Sequence, residues 1–192
     1  MNQFINPSFT IETIPGAVAP LGIFDPAGLG SRADENTLKR YREAEIVHGR
    51  VAMLAAVGFL VGEAVEGSSF LFDASITGPA ISHLPQVPPP FWVLLGLLIA
   101  KYELDRAEIA FVNPADIPVD QPGLLRKEYI PGDLEFDPLN LKPKNPKEFE
   151  VMQTKELQNG RLAMLAAAGF MAQELVDGKG IVEHWLSVSA IP

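Results

Sequence analysis

Cysteine is absent from the 192 residues, which excludes disulfides, thiolate metal sites and cysteine nucleophiles. Positive charge is scarce: 15 Lys and Arg against 24 Asp and Glu leave a formal net charge of −9. No basic aromatic stripe or zinc-ligand spacing offsets that acidity, so nucleic acid is not an expected partner. The opening stretch MNQFINPSFT has no basic region followed by an apolar run, and no Arg-rich amphipathic pattern. No targeting segment is expected within it, which does not make the protein cytosolic. A chain of this length suits one domain, 1–192.

What the sequence does contain is apolar. Three stretches approach the roughly 20 residues that a helix needs to cross a bilayer: about Ala44–Val65, about Phe91–Val112, opening with FWVLLGLLIA, and about Glu156–Val176. Each carries charge, so hydropathy alone also admits a soluble all-α protein with buried helices. The placement of Lys and Arg separates the two. Four precede the first stretch (Arg32, Lys39, Arg40, Arg42), and six lie between the second and third or at their edge (Arg126, Lys127, Lys142, Lys144, Lys147, Lys155). The connection 66–90 has none, and the C-terminal stretch has only Lys179. That alternation fits three spans with the N-terminus and second loop on the positive side. The run from Pro85 to Pro90 (PQVPPP) is expected to stay non-helical. Asn113-Pro114 and Asp177–Gly180 read as helix ends. The tail places Ile181, Val182, Trp185 and Leu186 on one face of a short amphipathic surface helix.

The most specific feature is a repeat. Glu45–Gly67 and Glu156–Gly178 agree at 13 of 23 positions, and upstream FDPAGL (Phe24–Leu29) echoes FDPLNL (Phe136–Leu141). The halves run from about 22 to 67 and 132 to 178. One span lies between them, so both copies cross the membrane in the same direction, crossed about a pseudo-two-fold axis along its normal. The expected fold is therefore an all-α membrane protein of three transmembrane helices. An axis of that kind disfavours inverted-repeat transporters. Gly49, Ala52 and Ala56, like Gly160, Ala163 and Ala167, form a small-residue face on which two helices can approach closely.

The charges follow from that packing. Glu45 and Arg50 are about 140° apart around one helix and pair poorly. Across a two-fold crossing, Glu45 can meet Arg161 while Glu156 meets Arg50. Buried ion pairs alone are a weak route to stability, so carboxylates at this depth call for a further purpose. His48 lies three residues after Glu45, Asn159 three after Glu156, and Gln173 within about 40° of the Asn159 face. Glu103 and Arg106 repeat the i, i+3 spacing in the middle span. Such isolated oxygen and nitrogen donors suit a metal needing one protein ligand, as magnesium does inside a tetrapyrrole. Taken singly, each is also an ordinary intramembrane hydrogen bonder.

At these residues the sequence resembles the light-harvesting chlorophyll-binding protein family, from Gly22 to about Trp185. The motifs are ExxHGRxAM and ExxNGRxAM, each after an FDP segment. The resemblance implies that Glu45, His48, Glu156, Asn159, Gln173 and Glu103 are axial ligands of chlorophyll magnesium, with Arg106 beside Glu103. It implies the ion pairs Glu45–Arg161 and Glu156–Arg50, and carotenoid head groups held at Asp25 and Asp137; turn initiation is the plainer role of those aspartates. The chain departs from green-plant members at Leu94-Leu95-Gly96-Leu97, where a ligating Gln is missing, and at Val188, where the family's C-terminal His falls. His184 stands four residues earlier, as a shifted ligand or a plain surface residue. The connection MQTKEL is similar to the red-lineage, fucoxanthin-type chlorophyll a/c antennas. Chlorophyll a, chlorophyll c and a fucoxanthin-like xanthophyll are the implied pigments. The implied setting is the plastid thylakoid membrane among lipids, a photosystem core and neighbouring antennas, with the N-terminus stromal and the C-terminus lumenal.

The expected function is thus energy capture and transfer, with no bond made or broken and no enzyme activity. One alternative is a photoprotective member that dissipates excitation, for which Glu66, Asp73 and His83 are the acidic and titratable groups of the lumenal loop. Another is a small channel or transporter using the intramembrane charges.

Overall fold

The computed structural model describes residues 9–67, 75–118 and 123–189; Asp73 lies outside them. Among these residues the chain is helical and has no strand. Helix α1 is Glu35–Val65, α2 Pro89–Ala110, α3 Pro146–Asp177 and α4 Ile181–Ser189, with 3-10 turns at Ala80–Ser82 and Pro114–Asp116. By length and composition α1 is the one described helix apolar enough to cross a membrane. With 22 and 32 residues, α2 and α3 have the length. Lys101, Glu103, Asp105 and Arg106 lower the hydropathy of α2, as Arg161 and Glu174 do that of α3.

Helices α1 and α3 begin at Glu35 and Pro146, well before the apolar stretches read from about Ala44 and Glu156, and both boundaries of α2 also correct the sequence reading. Pro89 and Pro90 open α2 rather than preceding it. A proline in a first turn lacks only an N–H with no intrahelical acceptor, and its fixed φ suits the helix; the Phe91 N–H already reaches the Pro88 carbonyl at 3.0 Å. At its other end α2 stops at Ala110, two residues early. There Phe111 bridges to Leu125, and the Val112 N–H donates to the Leu124 carbonyl at 2.9 Å, so the backbone is diverted into a loop pairing.

The chain divides into two compact units. The first draws on Met1–His48 and Lys101–Asn159. Its core is Ala110, Leu125 and Tyr129, with Phe111 and Leu134 packed against them. Asn36 of α1 accepts the Leu125 N–H at 3.1 Å, and the Lys39 ammonium donates to the Lys127 carbonyl at 3.0 Å, fastening the loop after α2 to the start of α1. In each FDP segment the aspartate carboxylate caps the turn that follows it. Asp25 accepts the N–H groups of Leu29 and Ser31, and Asp137 those of Leu141 and Lys142, each at 2.9 Å. In both turns the third residue after Asp is left-handed, Gly28 at φ +64° and Asn140 at +51°, residue types that tolerate that region.

The second unit draws on Gly49–Ala100 and Gly160–Pro192. In it Gly49 of α1 and Gly160 of α3 meet backbone to backbone, and Ala52, Ala163 and Ala167 are buried. Phe59 and Phe170 sit edge to face, 5.9 Å between centroids. Each pair, 49 with 160 and 59 with 170, occupies the same place in the repeat. So do Glu63 and Glu174, whose carboxyl groups are neighbours. Glu63 accepts the Ile181 and Val182 N–H groups at 2.7 and 3.2 Å, capping α4, while Glu174 accepts the Ile81 N–H at 2.7 Å. A carboxylate at a helix N-terminus satisfies orphan donors and complements the helix dipole.

Candidate functional site

His48 and Asn159 are exposed on their helices, and the backbone treats them alike. His48 Nδ1 lies 2.7 Å from the Ala44 carbonyl, and Asn159 Nδ2 donates to the Lys155 carbonyl at 2.9 Å. Both bonds reach back four residues, to positions that correspond in the repeat. A carbonyl only accepts, so His48 carries a proton on Nδ1, and in the neutral ring the lone pair is on Nε2. By the same logic Asn159 leaves its Oδ1 as the acceptor. Two different side chains thus present one neutral acceptor atom each from a fixed base. Tying the far donor of a ligating side chain to a carbonyl is the usual support of a metal ligand, and one N or O acceptor is what tetrapyrrole magnesium lacks.

Glu103 is arranged differently. Arg106 Nε and Nη2 both bond its Oε2, at 2.9 and 2.6 Å, and 41% of the side chain is exposed. The Arg106 Nη1 turns to Glu43 at 2.9 Å. Glu43 is buried, 4% exposed, and also accepts the Tyr129 hydroxyl and the Gly132 N–H, each at 2.8 Å. One guanidinium therefore neutralises an outer and an inner carboxylate, and the inner one holds the 129–132 loop. Burial first, and then the Glu43 charge, push the Tyr129 hydroxyl well above its ordinary value of 10, so it stays a donor.

Near the end of α3, Gln173 Nε2 donates to the Asp177 carboxylate at 3.2 and 3.4 Å and to the Lys179 carbonyl at 3.1 Å. His184 of α4 places Nδ1 on the Asp177 Oδ2. Asp177 also accepts the Lys179 N–H at 3.0 Å. Gln173 Oε1, and His184 Nε2 in the neutral ring, are left as acceptors.

The remaining candidates are placed as follows. Glu45 is half-buried and paired with Arg42, one turn earlier, at 3.0 Å. Glu156, Arg50 and Arg161 are half-buried and each is engaged by a neighbour. The Asp25 and Asp137 carboxylates are occupied as turn caps. Their backbone N–H partners hold both carboxyls below the ordinary value of 3.8, Ser31 foremost for Asp25 and Lys142 for Asp137. Glu66 accepts the Gly78 N–H at 2.8 Å and His83 Nε2 donates to the Gly78 carbonyl at 2.6 Å. Sequence reasoning missed Glu43, Glu63, Glu174 and Asp177. Glu63 and Glu174 had left a signal, being identical in the two copies; Glu43 had left none.

Among the described residues no three His, Cys, Asp or Glu side chains converge on a metal position. A metal served by these acceptors takes its other ligands from a prosthetic group. The apolar exterior agrees with such a group: Val93, Leu94, Leu97, Leu98 and Ile99 of α2 are all more than half exposed, as are Leu54 of α1 and Leu165 of α3. So much contiguous apolar surface marks a partner or lipid face.

Comparison with known proteins gives the context. The family model for chlorophyll A-B binding protein matches residues 11–175. The chain is 48% identical over 176 residues to light-harvesting complex stress-related protein 3.2 of Chlamydomonas reinhardtii, covering 90% of this chain and 67% of the relative. It is 47% identical over 174 residues to a fucoxanthin-chlorophyll a-c binding protein of Isochrysis galbana, covering 90% and 81%. Chlorophyll a-b binding protein 6 of Arabidopsis thaliana is 36% identical over 173 residues, covering 88% and 67%. All three are described as chloroplastic.

Proposed function

The chain belongs to the chlorophyll A-B binding protein family, and from that premise we propose how its own residues hold pigment. It is a light-harvesting, chlorophyll-binding protein, not an enzyme, of a family associated with the thylakoid. His48 Nε2, Asn159 Oδ1 and Gln173 Oε1 are the neutral axial ligands of chlorophyll magnesium; Glu45, Glu103 and Glu156 are carboxylate ligands whose charge is balanced by arginine. The observation that carries this reading is the matched tie of His48 and Asn159 to the carbonyls four residues back. The acceptors fit the group: hard magnesium takes oxygen or imidazole nitrogen, and bound chlorophyll supplies light absorption and excited-state transfer. The protein's part is positional, fixing where each macrocycle sits and how it is turned.

In our reading α1, α2 and α3 all cross the membrane within one domain, 1–192, with the N-terminus stromal and the C-terminus lumenal. The loop charges support this. The repeat, with its like-to-like contacts at Gly49–Gly160 and Phe59–Phe170, supports a pseudo-two-fold axis. From the repeat spacing we also carry forward the reciprocal pairs Glu45–Arg161 and Glu156–Arg50. Carotenoids lie near the FDP turns of Asp25 and Asp137. The Isochrysis relative favours chlorophyll c and a fucoxanthin-type carotenoid as further pigments. The partners are a photosystem and neighbouring antennas.

The stress-related relatives favour a second reading, dissipation of excess excitation in the same fold. Family membership leaves the transporter reading without support. Absorption and pigment extraction of the purified protein test the first reading: a folded, colourless protein rules it out. Excited-state lifetime measured against pH tests the second, and a lifetime unchanged on acidification counts against pH-gated dissipation.

A further inference from the structure

Asp177 is the meeting point of two side chains from different helices. Its carboxylate takes the Gln173 amide donor from its own helix and the His184 Nδ1 from α4. We propose that Asp177 is a positioning residue that aims Gln173 Oε1 and His184 Nε2 at two neighbouring magnesium tetrapyrroles, making His184 an axial ligand in its own right. The inference rests on the antenna reading above and adds to it a ligand and the residue that orients it.

The argument is one of donors and acceptors. A glutamine amide can turn over and offer magnesium its NH2, which cannot ligate. Here Nε2 is held by two acceptors at once, Asp177 and the Lys179 carbonyl, so the oxygen is the end left to offer. Imidazole has the same ambiguity between its nitrogens. In the neutral ring a carboxylate on Nδ1 fixes the proton there, leaves the lone pair on Nε2, and raises its basicity as a ligand. Asp177 is itself steadied by the Lys179 N–H. The left-handed Gly178, φ +67°, turns the chain so that His184, seven positions after Asp177, returns to its carboxylate.

The arrangement is not a by-product of the repeat. The first copy has Gly62 where the second has Gln173, and Glu66 where it has Asp177. With no amide to orient, Glu66 instead accepts the Gly78 N–H. An acidic residue at this helix end serves a loop in one copy and two acceptor-bearing side chains in the other.

The test uses the pigment-loaded protein, refolded with its native pigment extract, in the variants Q173L, H184L, D177A and D177N. Chlorophyll per polypeptide, the red absorption band and far-UV helicity are read for each. Q173L and H184L should each lose about one chlorophyll. D177A should lower the occupancy of both sites, with a red difference spectrum matching the sum of the two single variants and unchanged helicity. D177N, with one acceptor oxygen for two side-chain donors and the Lys179 N–H, should fall between D177A and wild type. Full chlorophyll and an unaltered red band in D177A overturn the proposal, as does a full complement in H184L. If D177A loses helicity while D177N keeps the wild-type spectrum, Asp177 only caps α3 and the proposal is again overturned. Retained chlorophyll in Q173L instead overturns the ligand assignment beneath it, a distinguishable failure.

Discussion

A Cβ placed on Gly49 would stand 3.0 Å from the Cα of Gly160, and one placed on Gly160 would stand 2.9 Å from the Cα of Gly49. The two backbones touch where the small-residue faces of the repeat come together. No rotamer change relieves a methyl group inserted there, because the obstacle is main chain. Gly49→Ala and Gly160→Ala should each cost about 1–3 kcal/mol, several degrees in the melting temperature of the pigmented protein. Gly58→Ala and Gly169→Ala are the controls, since a Cβ on either meets nothing within 4 Å. Equal melting shifts at both pairs of positions would refute the contact.

The shared posture of His48 and Asn159 makes an exchange informative. His48→Leu should lose about one chlorophyll and keep its helix, as the ring is exposed and packs little. His48→Asn should retain more pigment than His48→Leu, because asparagine at the corresponding position already makes the same backward bond. Pigment counting after refolding decides it; two variants equally poor in chlorophyll would show that the acceptor atom is not what matters.

Glu43 should matter out of proportion to its visibility. Glu43→Ala leaves Arg106 short of its inner carboxylate and the Tyr129 hydroxyl short of its acceptor, a loss of about 3–5 kcal/mol for a broken buried pair. Tyr129→Phe removes one bond to a charged group and should cost about 1.5–3 kcal/mol. Denaturant melts of the three proteins measure both, and a Glu43→Ala variant as stable as wild type contradicts the network.

The FDP turns carry a pH signature. Asp25 and Asp137 bind protons less readily folded than unfolded, since the folded pKa lies below 3.8. Their contribution is therefore complete above 3.8 and disappears as the pH falls through the folded value. Asp25→Ala and Asp137→Ala should melt below wild type at neutral pH, and the gap should close well below pH 3.8. A gap of constant size across that range excludes turn capping by the ionised carboxylates.

How much of this was legible beforehand depended on whether the cause was local. The repeat fixed its own contacts, because identical residues such as Gly49 and Gly160 could be matched by eye. The aspartate-capped turns were equally open, since Asp reaches backbone only four to six residues away. Pro89 and Pro90 were misread because proline's penalty disappears in a first turn. Glu43 was invisible for the opposite reason: Tyr129 lies 86 residues further along the chain and Arg106 lies 63, with no periodicity linking them. Asp177 looked like punctuation between helices, and only the return of α4 brings His184 onto it.

The backward bond from His48 to Ala44 and from Asn159 to Lys155 reaches beyond binding. Energy passes between pigments at rates set by how their transition dipoles are inclined to one another, so an antenna needs angles as much as it needs affinities. A ligand hinged only on its own side chain would let the macrocycle sway with every rotamer. Pinned to a carbonyl one turn away, a ligand of the kind proposed for His48 and Asn159 would inherit its bearing from the helix axis, and the optical layout would become a property of the backbone. Substitutions elsewhere around such a pigment would then tune its colour without turning it.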